Sequence, residues 1–213
     1  RRTIDISPGL KKKEMERLVI ELSWKSSKIE GNTYTLLDTE KLILENQEAP
    51  GHDKNEGRMI LNHKDAFNFV YENAAEFATL TKANVEKLHA ILVKDLSVRL
   101  GFRDKPVGVL GSKYQPLDNI HQITDAMSAL GLVVARMETP YSQALVALLG
   151  ISYIQPFEDG NKRTSRLMAN ALLLAHGRAP LSYRSLDEQE YRDAMIFWYE
   201  VNSIVPLKKI FVG

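Results

Sequence analysis

The sequence contains no cysteine. This excludes disulfide bonds, thiolate nucleophiles and cysteine metal ligands, and it is consistent with a reducing compartment such as the cytoplasm. There is also no apolar run long enough to span a bilayer and no pattern of a secretion signal. We therefore expect a cytoplasmic protein that does not insert into a membrane.

Neither sign of charge is in excess, since 28 basic and 27 acidic residues stand among the 213. A balanced charge gives no overall field that would attract nucleic acid or a membrane surface. The apolar fraction of 44% is ordinary for a globular protein with a sizeable core. Length and composition predict one large domain, or one domain with an appendage, without a nucleic-acid partner.

Apolar residues recur with helical spacing along most of the chain. The pattern from Met15 to Ile29 predicts a helix, and Gly31 and Asn32 offer its end. Similar patterns predict further helices after Asp38, from Ile60 to Tyr71, after Thr81, over residues 119–137, after Pro140, from Asn161 to His176 and over residues 185–203. The fold class is therefore predicted to be all-α.

One segment, residues 101–116, breaks the helical pattern because it is rich in glycine and proline. Short apolar or aromatic pieces flank Gly111 and Ser112, which predicts a small β-hairpin that projects as a flap. An exposed strand of such a flap can pair with an extended peptide through main-chain hydrogen bonds. The alternative is a purely structural hairpin that covers the helical core.

Residues 155–166, QPFEDGNKRTSR, lie between two apolar segments and lead into a helix. Free backbone N–H groups at a helix N-terminus attract anions. Gly160 allows a tight turn, Arg163 and Arg166 are spaced to bind two phosphates, and Asp159 is an oxygen ligand suited to Mg²⁺. A polyphosphate site is one interpretation. The other is a plain turn in which Asp159 caps a solvated helix.

This loop resembles the active-site motif of the Fic family, H-x-F-x-[D/E]-G-N-G-R-x-x-R, which lies between two helices. The matching residues are Phe157, Asp159, Gly160, Asn161, Arg163 and Arg166. The sequence departs from the motif at Gln155, where the family has histidine, and at Lys162, where it usually has glycine.

A second resemblance lies near the N-terminus. Residues 26–31, SSKIEG, are similar to the inhibitory motif [S/T]-x-x-x-E-[G/N] of Fic proteins with an N-terminal inhibitory helix, so Ser26 and Glu30 take the inhibitory positions. The resemblance implies that Glu30 pairs with Arg166 and blocks the γ-phosphate of ATP. It also implies an organisation into an N-terminal segment with the start of the inhibitory helix, a Fic-like domain and a C-terminal segment, over residues 1–22, 23–200 and 201–213.

The resemblance further implies a reaction, the transfer of AMP from ATP to a hydroxyl of a protein target. In such a reaction Asn161 and the loop near Gly160 hold the α-phosphate, Asp159 holds Mg²⁺, Arg163 reaches the β-phosphate and Arg166 the γ-phosphate. Lys162 joins the nucleotide-binding residues. The unknown target docks on the flap at Val109, Leu110, Gly111 and Ser112, and a homodimer is a further expectation.

Gln155 stands at the catalytic position, together with Asn161 and Arg163, but its side chain does not titrate near neutral pH. A positioned general base contributes about 10² to 10⁴ in rate, so several alternatives stay open. The chain is an adenylyltransferase weakened by Gln155, a degenerate nucleotide-binding regulatory module, or a phosphoryl transferase like Doc-type relatives with lysine at position 162. Glu30 could also polarise a water that removes AMP from a modified protein, and a helical scaffold with a chance motif is the remaining alternative.

Overall fold

A computed structural model describes residues 8–212 of the chain, so the first seven residues of the expected N-terminal segment 1–22 lie outside the described part. Within it, helices account for all regular secondary structure: α1 (Pro8–Ile29), α2 (Leu36–Glu45), α3 (Lys54–Glu72), a 3-10 turn η1 (Ala74–Phe77), α4 (Lys82–Leu92), α5 (Ile120–Ala135), α6 (Pro140–Ile154), α7 (Asn161–Ala175), α8 (Glu188–Val201) and α9 (Val205–Val212). The prediction of an all-α fold is confirmed. None of these helices is both long enough and apolar enough to cross a bilayer.

Short polar side chains fix where several helices begin. Thr35 forms a capping box with Asp38 at the start of α2, and Thr81 and Thr139 each accept a backbone N–H in the first turns of α4 and α6. These bonds satisfy backbone donors that a helix leaves free. Pro140 follows as the first residue of α6, where its missing N–H costs nothing.

Helix α7 is the centre of the fold, and all but three of its residues are buried. It packs against α6, α4, α3 and η1, and its N-terminal half also contacts α1. Two apolar clusters meet on it, one shared with α3 to α6 and the other with α6, α8 and α9. Because α7 is held from several sides, side chains at its N-terminus have a rigid base.

The expected β-hairpin at residues 101–116 is wrong, because no strand forms there or elsewhere in the described residues. The segment makes one tight turn, in which Ser112 N donates to Val109 O at 3.1 Å. Glycine and proline leave pieces too short for a ladder of backbone bonds. Side chains hold the segment instead: Glu200 of α8 accepts from Ser112 Oγ and Lys113 N at 3.0 and 2.9 Å. We keep the name flap for residues 101–116.

Candidate active site

The loop between α6 and α7 reverses the chain through two residues in left-handed conformation. Gln155 has φ 51° and Gly160 has φ 79°. A Cβ added at Gly160 would lie 3.1 Å from Val93 Cγ1 and 3.5 Å from His89 Cδ2. Glycine is therefore favoured at position 160, both by its backbone conformation and by the close approach of Val93 and His89.

Asn161 clamps the loop from inside. Its Oδ1 accepts from Phe157 N and its Nδ2 donates to Phe157 O, both at 2.8 Å. The amide of Asn161 is thus engaged with the backbone, and it shapes the loop that precedes α7.

The loop also rests on His89 of α4. The His89 ring stacks on Phe157 with centroids 3.7 Å apart, and its Nε2 donates to Asp159 O at 3.0 Å. Burial lowers the pKa of His89 to about 4, so the ring is neutral at pH 7. It supports the loop from below rather than serving as a base at its surface.

Arg166 lies fully buried and binds the C-terminal end of α1. Its Nη1 donates to Glu30 Oε1 at 2.8 Å, while Nε and Nη2 donate to Ser26 Oγ and Ser26 O at 3.1 and 2.8 Å. Burial disfavours the charge, but the Glu30 carboxylate outweighs it and raises the pKa of Arg166. Every nitrogen of this guanidinium is therefore occupied by α1, within one chain.

Arg163 lies one turn earlier on the same helix and is only partly engaged. Its Nη2 donates to Asp159 Oδ2 at 3.3 Å, and burial lowers the pKa of its guanidinium. Nη1 is buried without a hydrogen-bond partner in the described residues. An unpaired buried donor costs about 1 to 3 kcal/mol, so this position suits an anionic ligand.

Two adjoining cavities open at the start of α7. The first, of about 260 Å³, lies between the flap and the loop, and among its lining residues are Glu30, Val109, Gln155, Asp159 and Arg163. The second, of about 180 Å³, lies between the flap and α8. Glu30, Lys162, Val109 and Leu110 line both cavities. The residues singled out in the inhibitory motif, the loop and the flap are thus brought together.

Gln155 is buried, and its side chain turns back onto the last turn of α6. Nε2 of Gln155 donates to Ser152 O at 2.5 Å. The side chain lines the first cavity, but it has no group that could keep a proton. The second buried histidine near the site, His63 of α3, is also neutral, because burial and the charges of Arg166 and Arg163 lower its pKa to about 3.

Sequence reasoning did not single out Arg103, which lies completely buried behind the loop. Its Nε donates to Gln155 O at 2.6 Å. In the sequence, Arg103 and Arg99 stand on either side of Gly101, each directly after an apolar residue, yet the side chain of Arg99 is 48% exposed. The local pattern therefore carried no signal that could have separated the two arginines.

The fold and site define a helical domain with a glycine-containing loop at the N-terminus of α7 and a carboxylate of the same chain paired with Arg166. Residues 79–173 match the model of the Fic/DOC family.

The chain is similar to proteins named protein adenylyltransferase Fic. It is 24% identical over 185 residues to that of Nematostella vectensis, with 84% of this chain and 43% of the relative covered. It is 28% identical over 195 residues to that of Aedes aegypti, with 89% and 38% covered. It therefore spans about two fifths of the length of these relatives.

A solved structure shares the fold. It is a Fic domain containing signaling protein from Bacteroides thetaiotaomicron, with a TM-score of 0.77 and 23% sequence identity. The similarity covers 90% of this chain and 75% of that protein.

Proposed function

We propose that this chain transfers AMP from ATP to a hydroxyl group of a protein, and that Glu30 holds the reaction off. The observation that carries the proposal is the bond between Glu30 and Arg166 at 2.8 Å. This bond joins the carboxylate of Glu30 to an arginine that is 136 residues away in the sequence. That arginine belongs to the motif of residues 155–166, for which the sequence suggested a polyphosphate site. The names of the relatives, protein adenylyltransferase Fic, support the same reaction.

The triphosphate would bind along the first turns of α7. No side chain caps this helix, so its backbone N–H groups and its dipole favour an anion. The unpaired Nη1 of Arg163 offers a further donor, and Nη1 of Arg166 becomes free to donate to a phosphate oxygen once Glu30 leaves. Glu30 and a phosphate compete for the same guanidinium, which gives inhibition a direct physical basis.

Mg²⁺ fits this site through Asp159, whose carboxylate is 68% exposed and lines the first cavity. The described residues contain no cluster of three or more His, Asp or Glu that could hold a metal. Mg²⁺ commonly binds through one or two protein carboxylates together with the phosphates of the substrate, so a single carboxylate is sufficient. Bound there, the ion would neutralise charge on the phosphates.

The target would lie along the flap, whose tip residue Leu110 is 93% exposed. The hydroxyl oxygen of the target protein would form a bond to the α-phosphorus of ATP, and the bond between that phosphorus and pyrophosphate would break. Gln155 can orient the hydroxyl but cannot keep its proton, so the proton passes to a phosphate oxygen or to water. The reaction is therefore expected to be slow.

A second candidate is a regulatory module that binds the nucleotide without transferring any part of it. The bond from Gln155 Nε2 to Ser152 O favours this candidate, because the side chain then caps α6 instead of serving a substrate. A transferase of another phosphate group, suggested by Lys162, is distinguished by the position of the label that reaches the target.

The first test is transfer of α-labelled ATP by the Glu30→Gly variant, with Gln155 unchanged, to itself and to proteins of a cell lysate. We expect label on protein, and loss of that label when Arg166→Ala is added. Label from γ-labelled ATP, but none from α-labelled ATP, would instead identify a phosphoryl transferase.

Glu30→Gly with Gln155→His is the matched control for the missing base. If this double variant labels protein and Glu30→Gly does not, the scaffold is competent and the natural chain is the regulatory module. If neither variant labels protein and neither binds ATP in a calorimetric titration, the proposed function is wrong.

A further inference from the structure

Arg103 is a fully buried cation whose hydrogen bonds all go to main-chain carbonyl groups. Nε donates to Gln155 O at 2.6 Å, Nη1 to Lys105 O at 2.8 Å and Nη2 to Ile154 O at 3.5 Å. Nη2 also donates to Leu117 O. No carboxylate takes part in these hydrogen bonds.

These carbonyl groups belong to two separate parts of the site. Lys105 and Leu117 lie near the two ends of the flap, whereas Ile154 and Gln155 form the end of α6 and the head of the loop. The backbone adds one more link, since Arg103 N donates to Pro156 O at 2.9 Å. One residue therefore joins both ends of the flap to position 155.

The charge of Arg103 is costly where it lies. Burial lowers the pKa of its guanidinium, and only Asp118 and Tyr114 act against this effect. A buried cation is retained at such a cost where its geometry is needed, and the planar fork of arginine can reach several carbonyl groups at once. The last carbonyls of α6 also favour a cation, because they form the negative end of the helix dipole.

No backbone ladder takes over this role in the described residues. Residues 101–116 form a single turn without strands, and Glu200 and Tyr153 hold only the turn and the part that follows it. The base of the flap is thus held by the hydrogen bonds of Arg103 together with the apolar packing of the buried Phe102 on Phe157.

We propose that Arg103 is a positioning residue that sets the distance between the flap and position 155. The inference rests on the proposed function, because it concerns how a target on the flap meets the nucleotide. Arg103 has no hydrogen bond to Arg163, Arg166 or the first turn of α7, so its loss should spare ATP binding and impair transfer. A misplacement of about 1 Å can cost on the order of a hundredfold in rate.

The first experiment measures the position of the flap without any need for activity. Because the chain has no cysteine, spin labels can be attached at Leu110→Cys on the flap and Ala129→Cys on α5, both exposed. We expect a narrow distribution of label-to-label distances with Arg103 and a distribution at least twice as wide with Arg103→Lys or Arg103→Met. Equal widths in a folded variant would overturn the proposal, and Arg103→Lys decides if Arg103→Met does not fold.

Arg99→Lys is the matched control, because Arg99 lies two residues before the flap and pairs with Asp104 of the flap at the surface. We expect this variant to leave the distance distribution as it is. A change as large as that of Arg103→Lys would show that any alteration of the segment moves the flap, and it would count against Arg103.

The second experiment compares binding with transfer in the Glu30→Gly background. We expect Arg103→Lys to keep the ATP affinity within about twofold while AMP transfer to protein falls at least tenfold. An equal loss of both quantities would reduce Arg103 to a structural support and overturn the proposal. If Glu30→Gly itself transfers nothing, the proposed function fails, whereas the label distances still decide the role of Arg103.

Discussion

At the scale of single residues, Lys162 has two roles that exclude each other. Its Nζ lies 3.9 Å from Glu30 Oε2, and it lines both cavities beside the phosphate-type loop. Under the proposed function, the lysine helps to retain the Glu30 carboxylate while Glu30 is in place, and its positive charge is free for a phosphate once Glu30 is gone.

The effect of Lys162→Gln on ATP affinity should therefore have opposite signs in the protein with Glu30 and in the Glu30→Gly variant. With Glu30 present we expect affinity to rise a few fold, and in Glu30→Gly we expect it to fall a few fold. An exposed ion pair contributes about 0 to 1 kcal/mol, up to about fivefold in a binding constant. Calorimetric titration of the four proteins checks this, and effects of one sign in both backgrounds would refute it.

Asn161 supports stability as well as the shape of the site. In Asn161→Ala, the backbone N–H and C=O of Phe157 lose their partners in a buried place, at a cost of about 1 to 3 kcal/mol each. We expect the melting temperature to fall by several degrees in thermal unfolding. Asn55→Ala, exposed on α3, is the control, and an equal fall in both variants would argue against the clamp.

The residues of the loop were accessible to sequence reasoning because a short motif holds them at fixed spacing. Arg166 contacts Glu30, the residue that the second motif singles out, whereas the roles of Gly160 and Asp159 stay predictions. Arg103 was not accessible, since its contacts are with backbone carbonyls that are up to 52 residues away. Such contacts leave no trace in local composition.

At the scale of elements, α1 is docked by ion pairs outside the site. Lys25 is buried and donates to Glu188 of α8, and Glu21 lies 3.0 Å from Arg184. These contacts hold the helix that Glu30 directly follows, although none of them touches the loop.

Weakening this docking should activate the protein from a distance. In Glu188→Gln, Lys25 loses its charged partner, and a hydrogen bond to a charged group contributes about 1.5 to 3 kcal/mol. We expect the ATP affinity to rise by up to about tenfold and hydrogen exchange in α1 to become faster.

Glu190→Gln is the control for this change, since Glu190 is exposed in the first turn of the same helix. The Glu190→Gln variant removes one negative charge from α8, as Glu188→Gln does, but it breaks no contact with α1. Equal effects of the two variants would show that the charge of α8, and not the docking of α1, controls the affinity.

The helices were predictable because apolar spacing and capping residues act locally, as at Thr81 and Pro140. The flap was not, because its apolar pieces have the composition of strands but lack a partner strand in the described residues. Its turn at Val109 to Ser112 depends on Glu200, which lies 88 residues beyond Ser112 on α8. A contact of that range is not visible in the local pattern.

At the scale of the whole molecule, two buried histidines make stability depend on pH. Burial lowers the pKa of His63 to about 3 and that of His89 to about 4. Below the ordinary value of about 6.5, the unfolded chain takes up protons that the folded chain does not. Stability is therefore complete above pH 6.5 and is lost as the pH falls toward 4.

Between pH 7 and 5, each of these histidines should reduce the free energy of unfolding by about 2 kcal/mol. In His63→Leu we expect the difference between the two pH values to shrink by about that amount in urea unfolding. Between pH 7.5 and 8.5, the variant and the natural chain should show the same pH dependence. An unchanged difference between pH 7 and 5 would show that His63 does not titrate upon unfolding.

The contact between Glu30 and Arg166 lies within one chain, and this has a consequence for how the protein responds to its surroundings. A tethered inhibitor has a fixed effective concentration that dilution does not change. Making more or less of the protein therefore cannot release it. Under the proposed function, the apparent dissociation constant for ATP is the intrinsic one divided by the fraction of molecules in which Arg166 is free of Glu30. The response would then be set by the supply of nucleotide and by whatever pulls α1 away.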